Sequence, residues 1–238
     1  RADFAAEELL PEYMKHIDPY IPSVPDPVLM KNYHVDRLYR LNNNENPLGP
    51  PPAARRVLEA YDMGRTGIYP SGDSYYLKRA LAKKFSKTSD QFLVGNGSNE
   101  MISCVLKTFC QKGDNIITAD RTYATYEWTA EFSGIEPILV PLNERYEFDE
   151  ERILAAVNDR TKIIFICNPN NPTGTWWNKD RMEAFLQRVP DRIVVIDEAY
   201  GEFVEDPDFP DAMELMERYA NVICFRTFSK MYGLAAVR

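Results

Sequence analysis

The sequence predicts an α/β fold: a three-layer α/β/α arrangement in which helices cover both faces of a mostly parallel sheet. Three runs support this prediction, because residues 163–166, 193–196 and 222–225 are each continuously apolar. Strands without polar alternation have both faces buried, as in parallel sheets. The runs are separated by segments long enough to hold helices, which favours alternation of strand and helix along the chain.

Further elements follow from hydrophobic spacing between residue 74 and these runs. Apolar residues recur at helical spacing in 77–85 and 101–109, and 123–132 is also predicted to be a helix. Short apolar segments at 92–94, 116–118 and 138–140 predict strands. Asp149 is expected to cap a helix that contains Ile153, Leu154 and Val157.

Two regions of different composition divide the chain. Residues 1–48 are rich in proline and asparagine, which predicts an irregular N-terminal arm lying over the body of the protein. Residues 49–238 are expected to form one large domain, incomplete at its C-terminal end. The N-terminus has no basic segment followed by an apolar one, so no secretory signal is expected.

Composition and charge exclude several classes of function. The net charge of −8 argues against a general nucleic-acid or anionic-membrane surface, and no apolar run is long enough to cross a bilayer. The four cysteines lie in apolar stretches without a C-x-x-C pair, and the chain has only two histidines. Free thiols, no metal site and a cytoplasmic location are therefore expected.

Polar side chains follow three of the predicted strands within five residues. Asn168 follows the strand at 163–167, Asp197 and Tyr200 follow that at 193–196, and Lys230 follows that at 222–225. Sites in parallel sheets form beyond the carboxyl ends of the strands. These residues are therefore expected to meet at one rim.

The residues at this rim match what pyridoxal phosphate (PLP) requires. An amine must hold the aldehyde, and a fixed carboxylate must keep the pyridine nitrogen protonated. Lys230 and Asp197 supply these two groups, and Asn168 with Tyr200 supply donors for the phenolate oxygen. The phosphate needs helix N-terminal amides and a cation. The turn that includes Gly97, Ser98 and Asn99, together with Arg238, supplies them.

The segment 95–100, Gly-Asn-Gly-Ser-Asn-Glu, resembles half of the dinucleotide fingerprint G-x-G-x-x-G. Glu100 stands where the third glycine would be. Alone, this segment is equally compatible with an ordinary turn between a strand and a helix. A nucleotide-binding dehydrogenase is also disfavoured because it leaves Lys230 unexplained.

Several motifs in the same order resemble the signatures of fold-type I aminotransferases, and most closely those of the histidinol-phosphate aminotransferase family. They are Asn-Glu-Asn-Pro (44–47), Ile-Tyr-Pro (68–70), Asn-Pro-Asn-Asn-Pro-Thr-Gly (168–174), Asp-Glu-Ala-Tyr (197–200) and Thr-Phe-Ser-Lys-Met-Tyr-Gly-Leu-Ala-Ala-Val-Arg (227–238). The resemblance extends over nearly the whole chain. It implies the PLP-dependent transferase fold, with a small C-terminal domain absent from this chain.

The resemblance also implies roles for individual residues. Lys230 resembles the Schiff-base lysine, which also moves the substrate proton, and Asp197 resembles the partner of the pyridine nitrogen. Tyr123 resembles the aromatic residue that stacks on the ring. The phosphate positions are matched by Ser98, Asn99, Thr227, Ser229 and Arg238. Tyr69 resembles a tyrosine that reaches the site of the neighbouring subunit, which implies a homodimer. Arg121 stands where the family usually has proline, a departure that bears on the loop carrying Tyr123.

The implied activity is transfer of an amino group from an amino acid or an amino-alcohol phosphate to 2-oxoglutarate. A PLP-dependent decarboxylase or lyase of the same fold is the first alternative. A non-catalytic PLP-binding regulatory module is the second. The missing C-terminal domain would supply the arginine that grips the substrate carboxylate, so this chain alone is expected to be inactive.

Simpler explanations stay open for single residues. Asp197 could cap a helix, and Asn168 could serve only as a turn residue before Pro169. Tyr126 competes with Tyr123 for the stacking role. Asn44 and Asn46 could be loop residues or substrate contacts. The Asn168–Pro169 and Asn171–Pro172 bonds are candidates for the cis form.

Overall fold

A single parallel sheet organises the part of the chain that the structure describes. The computed structural model describes residues 6–18 and 24–237. Its five strands lie in the order β2-β1-β3-β4-β5, and every neighbouring pair is parallel. The strands are β1 (Asn115–Ala119), β2 (Glu136–Val140), β3 (Thr161–Cys167), β4 (Ile193–Asp197) and β5 (Val222–Phe225).

Helices precede the sheet and connect its strands. The α-helices are α1 (Asp26–Tyr33), α2 (Pro52–Glu59), α3 (Tyr75–Phe85), α4 (Gly97–Phe109), α5 (Thr125–Phe132), α6 (Glu150–Ala156), α7 (Lys179–Arg188) and α8 (Ala212–Arg218). Short 3₁₀ helices occupy Ala6–Leu9, Glu12–His16, Met63–Gly67, Ser89–Gln91 and Gly201–Phe203. Asp149 caps α6 by accepting a hydrogen bond from the Arg152 amide, as predicted.

The core lies on both faces of the central strands. Residues 163–167 of β3 and 194–197 of β4 are buried at consecutive positions. Because successive side chains of a strand point to opposite faces, both faces of the sheet are covered. Trp177 and Phe185 pack edge to face at 5.2 Å and are among the large side chains of this core. The predicted α/β class with a parallel sheet is confirmed.

The strand predicted at 92–94 is wrong. This segment is extended at Phe92, but it pairs with no strand of the described chain, and Leu93 is 70% exposed. A strand exists only through hydrogen bonds to a neighbour, and local sequence does not provide one. The Gly95–Asn96 turn does open α4, but it follows an irregular segment.

Two helix predictions also need correction. The helix expected from residue 123 begins at Thr125, which leaves Tyr123 in the preceding loop. The arm expected to be irregular contains α1, whose start carries Pro25 at the N-cap and a second proline within its first turn. Proline fits the first turn of a helix, because the amide hydrogen it lacks would have no partner there.

The boundary between an arm at 1–48 and a domain at 49–238 stays a prediction. All four cysteines are free; Cys167 is buried and the other three are partly buried. Within the described residues, none of the helices combines the length and apolar character needed to span a membrane.

Candidate functional site

The carboxyl ends of β3, β4 and β5 lie side by side. Cys167 pairs with Asp197, and Asp197 pairs with Phe225, so the three strands end level with one another. The Asn168 amide donates to the Asp197 carbonyl at 2.9 Å. The segments that follow the three strands therefore start from one rim, as the sequence predicts.

Asp197 is a buried carboxylate held by two neutral donors. It is 2% exposed; Oδ2 accepts a hydrogen bond from the Tyr126 hydroxyl at 2.7 Å, and Oδ1 accepts one from the Ala199 amide at 3.0 Å. Burial raises the pKa of Asp197 to about 6, while the hydrogen bonds from Tyr126 and Ala199 act in the opposite direction. The next helical turn is capped by Tyr200, so Asp197 does not cap a helix.

Lys230 and Tyr200 face each other beside the segment that contains residues 43–46. The Lys230 Nζ lies 5.8 Å from the centroid of the Tyr200 ring and donates to the Asn43 carbonyl at 2.7 Å. The side-chain Nδ2 of Asn44 donates to the Tyr200 hydroxyl at 3.0 Å. Asn46 donates to the Met231 carbonyl at 2.9 Å, so both asparagines contact the rim.

Asn168 is 1% exposed and anchors the loop that follows β3. Its Oδ1 accepts from the Trp177 amide at 2.7 Å, and its Nδ2 donates to the Trp177 carbonyl at 3.3 Å. These bonds hold the side chain in place from across the loop, which a simple turn residue would not require. The Asn168–Pro169 and Asn171–Pro172 peptide bonds are both cis.

Tyr123 and Tyr126 occupy different environments. Tyr126 is fully buried and stacks on Phe165, with centroids 4.7 Å apart and an interplanar angle of 17°. Tyr123 is half-buried, meets the Tyr126 ring edge to face at 5.5 Å, and donates its hydroxyl hydrogen to Asn99. Tyr126 has no exposed face for a ligand, so Tyr123 is the better candidate to stack on one.

The candidate phosphate residues lie around the start of α4. Gly97 adopts a φ of +75°, which glycine tolerates without strain. Gly97, Thr227 and Ser229 line one cleft of about 220 Å³, and the Ser229 amide donates to the Thr227 hydroxyl at 3.1 Å. Ser98 and Asn99 are in the first turn of the same helix.

Two predicted site residues are not placed at the rim. Arg238 lies outside the described residues. Tyr69 follows the 3₁₀ helix Met63–Gly67, and its side chain is 97% exposed. Its predicted role in a neighbouring subunit stays a prediction.

The family model for aminotransferase class I and II matches residues 36–238. The chain belongs to this family. The predicted resemblance to fold-type I aminotransferases is thereby confirmed.

Individual relatives in this aminotransferase family are similar over nearly the whole chain. A histidinol-phosphate aminotransferase of Anaeromyxobacter sp. (strain Fw109-5) is 37% identical over 97% of the chain and 63% of its own length. That of Moorella thermoacetica is 40% identical over 95% of the chain and 59% of its own length. The chain thus spans about three-fifths of the length of the curated relatives it matches.

A solved structure from the family has the same fold. The histidinol-phosphate aminotransferase of Sinorhizobium meliloti, in complex with pyridoxal-5′-phosphate, superposes with a TM-score of 0.84 at 27% identity. The match covers 96% of this chain and 61% of that one.

One pair of residues in this aminotransferase-family chain was missed by sequence reasoning. Glu198 is fully buried; its Oε2 accepts from Nε and Nη2 of Arg226 at 2.9 and 2.6 Å, and its Oε1 accepts from the Ala212 amide at 2.9 Å. Arg226 also donates to Asp211, the N-cap of α8, at 2.9 Å. The available signal was two opposite charges placed directly after adjacent buried strands.

Proposed function

We propose that this protein is a PLP-dependent aminotransferase. The observation that carries the proposal is that three neighbouring strands end level with one another and lead into Asn168, Asp197 and Lys230. Relatives named histidinol-phosphate aminotransferase support the same activity, as does a neighbour solved with pyridoxal-5′-phosphate.

The residues present fit this cofactor. Asp197 would hold the protonated pyridine nitrogen, since both of its oxygens are oriented by neutral donors and a positive partner would offset the cost of its burial. Lys230 would hold the aldehyde carbon through its amine, and the carbonyl of Asn43 keeps that amine beside Tyr200. When bound, PLP takes up the electron pair left on the substrate carbon as its proton departs.

The other side chains would complete the site. Tyr200 and Asn168 would donate to the phenolate oxygen, because the Asn168 amide nitrogen has a second hydrogen besides the one directed at Trp177. Tyr123 would cover one face of the ring. The phosphate would lie among Gly97, Ser98, Asn99, Thr227, Ser229 and Arg238, where the start of α4 offers amide hydrogens.

The Lys230 amine would act as both acid and base. The Lys230 amine would accept the proton that leaves the substrate α-carbon and later give it up again, so that one side chain moves the proton of the reaction. The Tyr200 ring, whose centroid lies 5.8 Å from the Lys230 Nζ, would keep its hydroxyl protonated, since burial raises the pKa of Tyr200.

The substrates and assembly are part of the same proposal. The amino donor would be an amino acid or an amino-alcohol phosphate similar to histidinol phosphate, and the acceptor 2-oxoglutarate. A cleft of about 520 Å³ lined by Asn44, Tyr200, Trp176 and Phe203 offers room beside the rim. The protein would act in the cytoplasm as a homodimer to which Tyr69 of each subunit contributes at the neighbouring site.

Covalent labelling tests the central assignment. The full natural chain is incubated with PLP and reduced with borohydride, and the modified peptide is identified by mass spectrometry. The label should appear on Lys230, and Lys230→Ala should lose both the label and turnover. Lys179→Ala, which removes an exposed lysine at the start of α7, should keep both.

A label spread over surface lysines, or full activity in Lys230→Ala, would remove the assignment. Incubation with histidinol phosphate and 2-oxoglutarate should yield glutamate. Release of carbon dioxide from an amino-acid phosphate without glutamate formation would indicate a decarboxylase instead.

A further inference from the structure

We propose that Tyr126 is a positioning residue for the cofactor, whose hydroxyl fixes the Asp197 carboxylate in the orientation in which it meets the ring nitrogen. The inference rests on the proposed function and assigns a role to a side chain that does not itself touch the cofactor. It also gives different roles to Tyr126 of α5, which would orient Asp197, and to Tyr123 of the preceding loop, which would cover the ring.

The position of Tyr126 is defined by packing on two sides. Its ring stacks on Phe165 of β3 at 4.7 Å and meets the edge of Tyr123 at 5.5 Å. The side chain is fully buried, so its hydroxyl cannot turn to water. A buried hydroxyl without a partner is costly, and the hydrogen bond of 2.7 Å to Asp197 satisfies it.

Among the described residues, hydrogen bonds from the Tyr126 hydroxyl and the Ala199 amide hold the Asp197 carboxylate. The Ala199 amide holds Oδ1, but a single hydrogen bond leaves the group free to rotate about its last side-chain bond. Tyr126 holds Oδ2 and thereby fixes the plane of the group. Each carboxylate oxygen can accept a second hydrogen bond, so both anchors leave room for a ring N–H.

Tyr126 also connects the carboxylate with the proposed face of the ring. The Tyr123 ring lies against Tyr126, and the Tyr123 hydroxyl donates to Asn99 in the first turn of α4. One continuous series of contacts thus runs from the first turn of α4 through Tyr123 and Tyr126 to Asp197. A change at Tyr126 alters the nitrogen partner without removing any group that would contact the cofactor.

Electrostatics give the proposal a measurable signature. The hydrogen bond from Tyr126 stabilises the charged form of Asp197, while burial raises the pKa of this carboxyl to about 6. The Tyr200 hydroxyl and the Cys167 thiol also interact with Asp197, and the Tyr123 ring lies against Tyr126. Burial raises the pKa of Tyr200 and raises that of Cys167 to about 12, so these two groups stay neutral at neutral pH. The carboxylate of Glu198, the next residue of the chain, accepts hydrogen bonds from Arg226.

The test compares wild type, Tyr126→Phe and the control Tyr219→Phe in the full natural chain without cofactor. Phenylalanine keeps the ring packing and removes only the hydroxyl. The Asp197 carboxyl is followed by ¹³C NMR and assigned with Asp197→Asn. Its pKa should move upward in Tyr126→Phe, and should not move in Tyr219→Phe, which removes a hydroxyl that accepts a 3.4 Å hydrogen bond from Gln187.

Cofactor binding gives the second readout. The dissociation constant for PLP at pH 8, measured by absorbance titration, should rise about tenfold in Tyr126→Phe, the expected size for loss of one hydrogen bond to a charged group. Because a protonated Asp197 no longer carries the negative charge that stabilises the protonated ring nitrogen, the loss of affinity on acidification should also begin at a higher pH. Tyr219→Phe should bind as wild type does.

The outcomes separate the two proposals. If wild type does not bind PLP, the proposed function fails and this inference fails with it. If wild type binds through Lys230 and Tyr126→Phe has the same dissociation constant and the same Asp197 titration, only the role of Tyr126 is overturned. In wild type the Tyr126 ring carbon that bears the hydroxyl should titrate with the midpoint of Asp197, and independent titration would overturn the role without any variant.

Discussion

Replacing Asp197 with Asn should stabilise the cofactor-free protein above pH 6 while it impairs cofactor binding. The carboxyl is 2% exposed, and burial raises its pKa from 3.8 to about 6. A folded-state pKa above the unfolded value means that the folded state favours the protonated carboxyl. The stability that Asp197 contributes is therefore fully present below about pH 4 and is lost as the pH rises to about 6.

The size of the effect follows from the shift and from the hydrogen bonds. The rise of the Asp197 pKa from 3.8 to about 6 corresponds to about 3 kcal/mol at neutral pH. Asn has a single acceptor oxygen, so one of the two donors, the Tyr126 hydroxyl or the Ala199 amide, would face an NH₂ group, at a cost of about 1 kcal/mol. The net gain should therefore be about 2 kcal/mol at pH 8 and absent or reversed near pH 4.

Urea unfolding of the cofactor-stripped full natural chain at pH 4.5, 6 and 8 measures this difference. Asp149→Asn is the matched control, because Asn caps a helix as well as Asp does and the change should alter stability little. PLP should stabilise wild type strongly and Asp197→Asn weakly. An Asp197→Asn variant that is no more stable than wild type at pH 8, or a difference in stability that does not vary with pH, would contradict this expectation.

Two further substitutions test contacts that support the site, the ion pair of Arg226 and the close approach of Gly233 to Gly49. Arg226→Met leaves a fully buried carboxylate without its cation and should lower the free energy of unfolding by about 3 kcal/mol in urea, whereas Arg218→Met, at a more exposed ion pair, should have far less effect. An equal loss in both variants would contradict this. Gly233→Ala places a methyl group against the Gly49 carbonyl at a φ of +60° and should expose the segment around residue 49 to limited proteolysis. Gly174→Ala has a similar φ but open space around it, and it should not produce new cleavage near residue 49.

The sheet and the rim could be predicted because both depend on local sequence. Buried parallel strands are apolar at every position, and the residue after such a strand must lie at its carboxyl end. Asn168 and Asp197 could be placed in this way without knowledge of the strand order. The strand at 92–94 could not be decided locally, because an extended segment becomes a strand only when a neighbour is present to pair with it.

Which of Tyr123 and Tyr126 is buried depends on the residue at which α5 begins, and the sequence does not determine that residue. A helix from residue 123 would include both side chains, whereas the observed start at Thr125 leaves Tyr123 in the loop and places Tyr126 in the first turn. A shift of two residues turns a side chain by about half a helical turn. Which tyrosine is buried behind Asp197 therefore could not be read from the motif.

The two adjacent acidic residues after β4 provide an internal comparison for the role of Asp197. Both carboxylates are buried, yet Glu198 has the guanidinium of Arg226 and a backbone amide, whereas the hydrogen-bond donors to Asp197 within the described residues are a tyrosine hydroxyl and a backbone amide. A buried charge usually persists only when a cation offsets its desolvation. Glu198 meets this requirement within the chain and serves structure by joining β4 to α8. Asp197 is held instead by two neutral donors, and the protonated ring nitrogen of the proposed cofactor would supply a positive charge that offsets its burial.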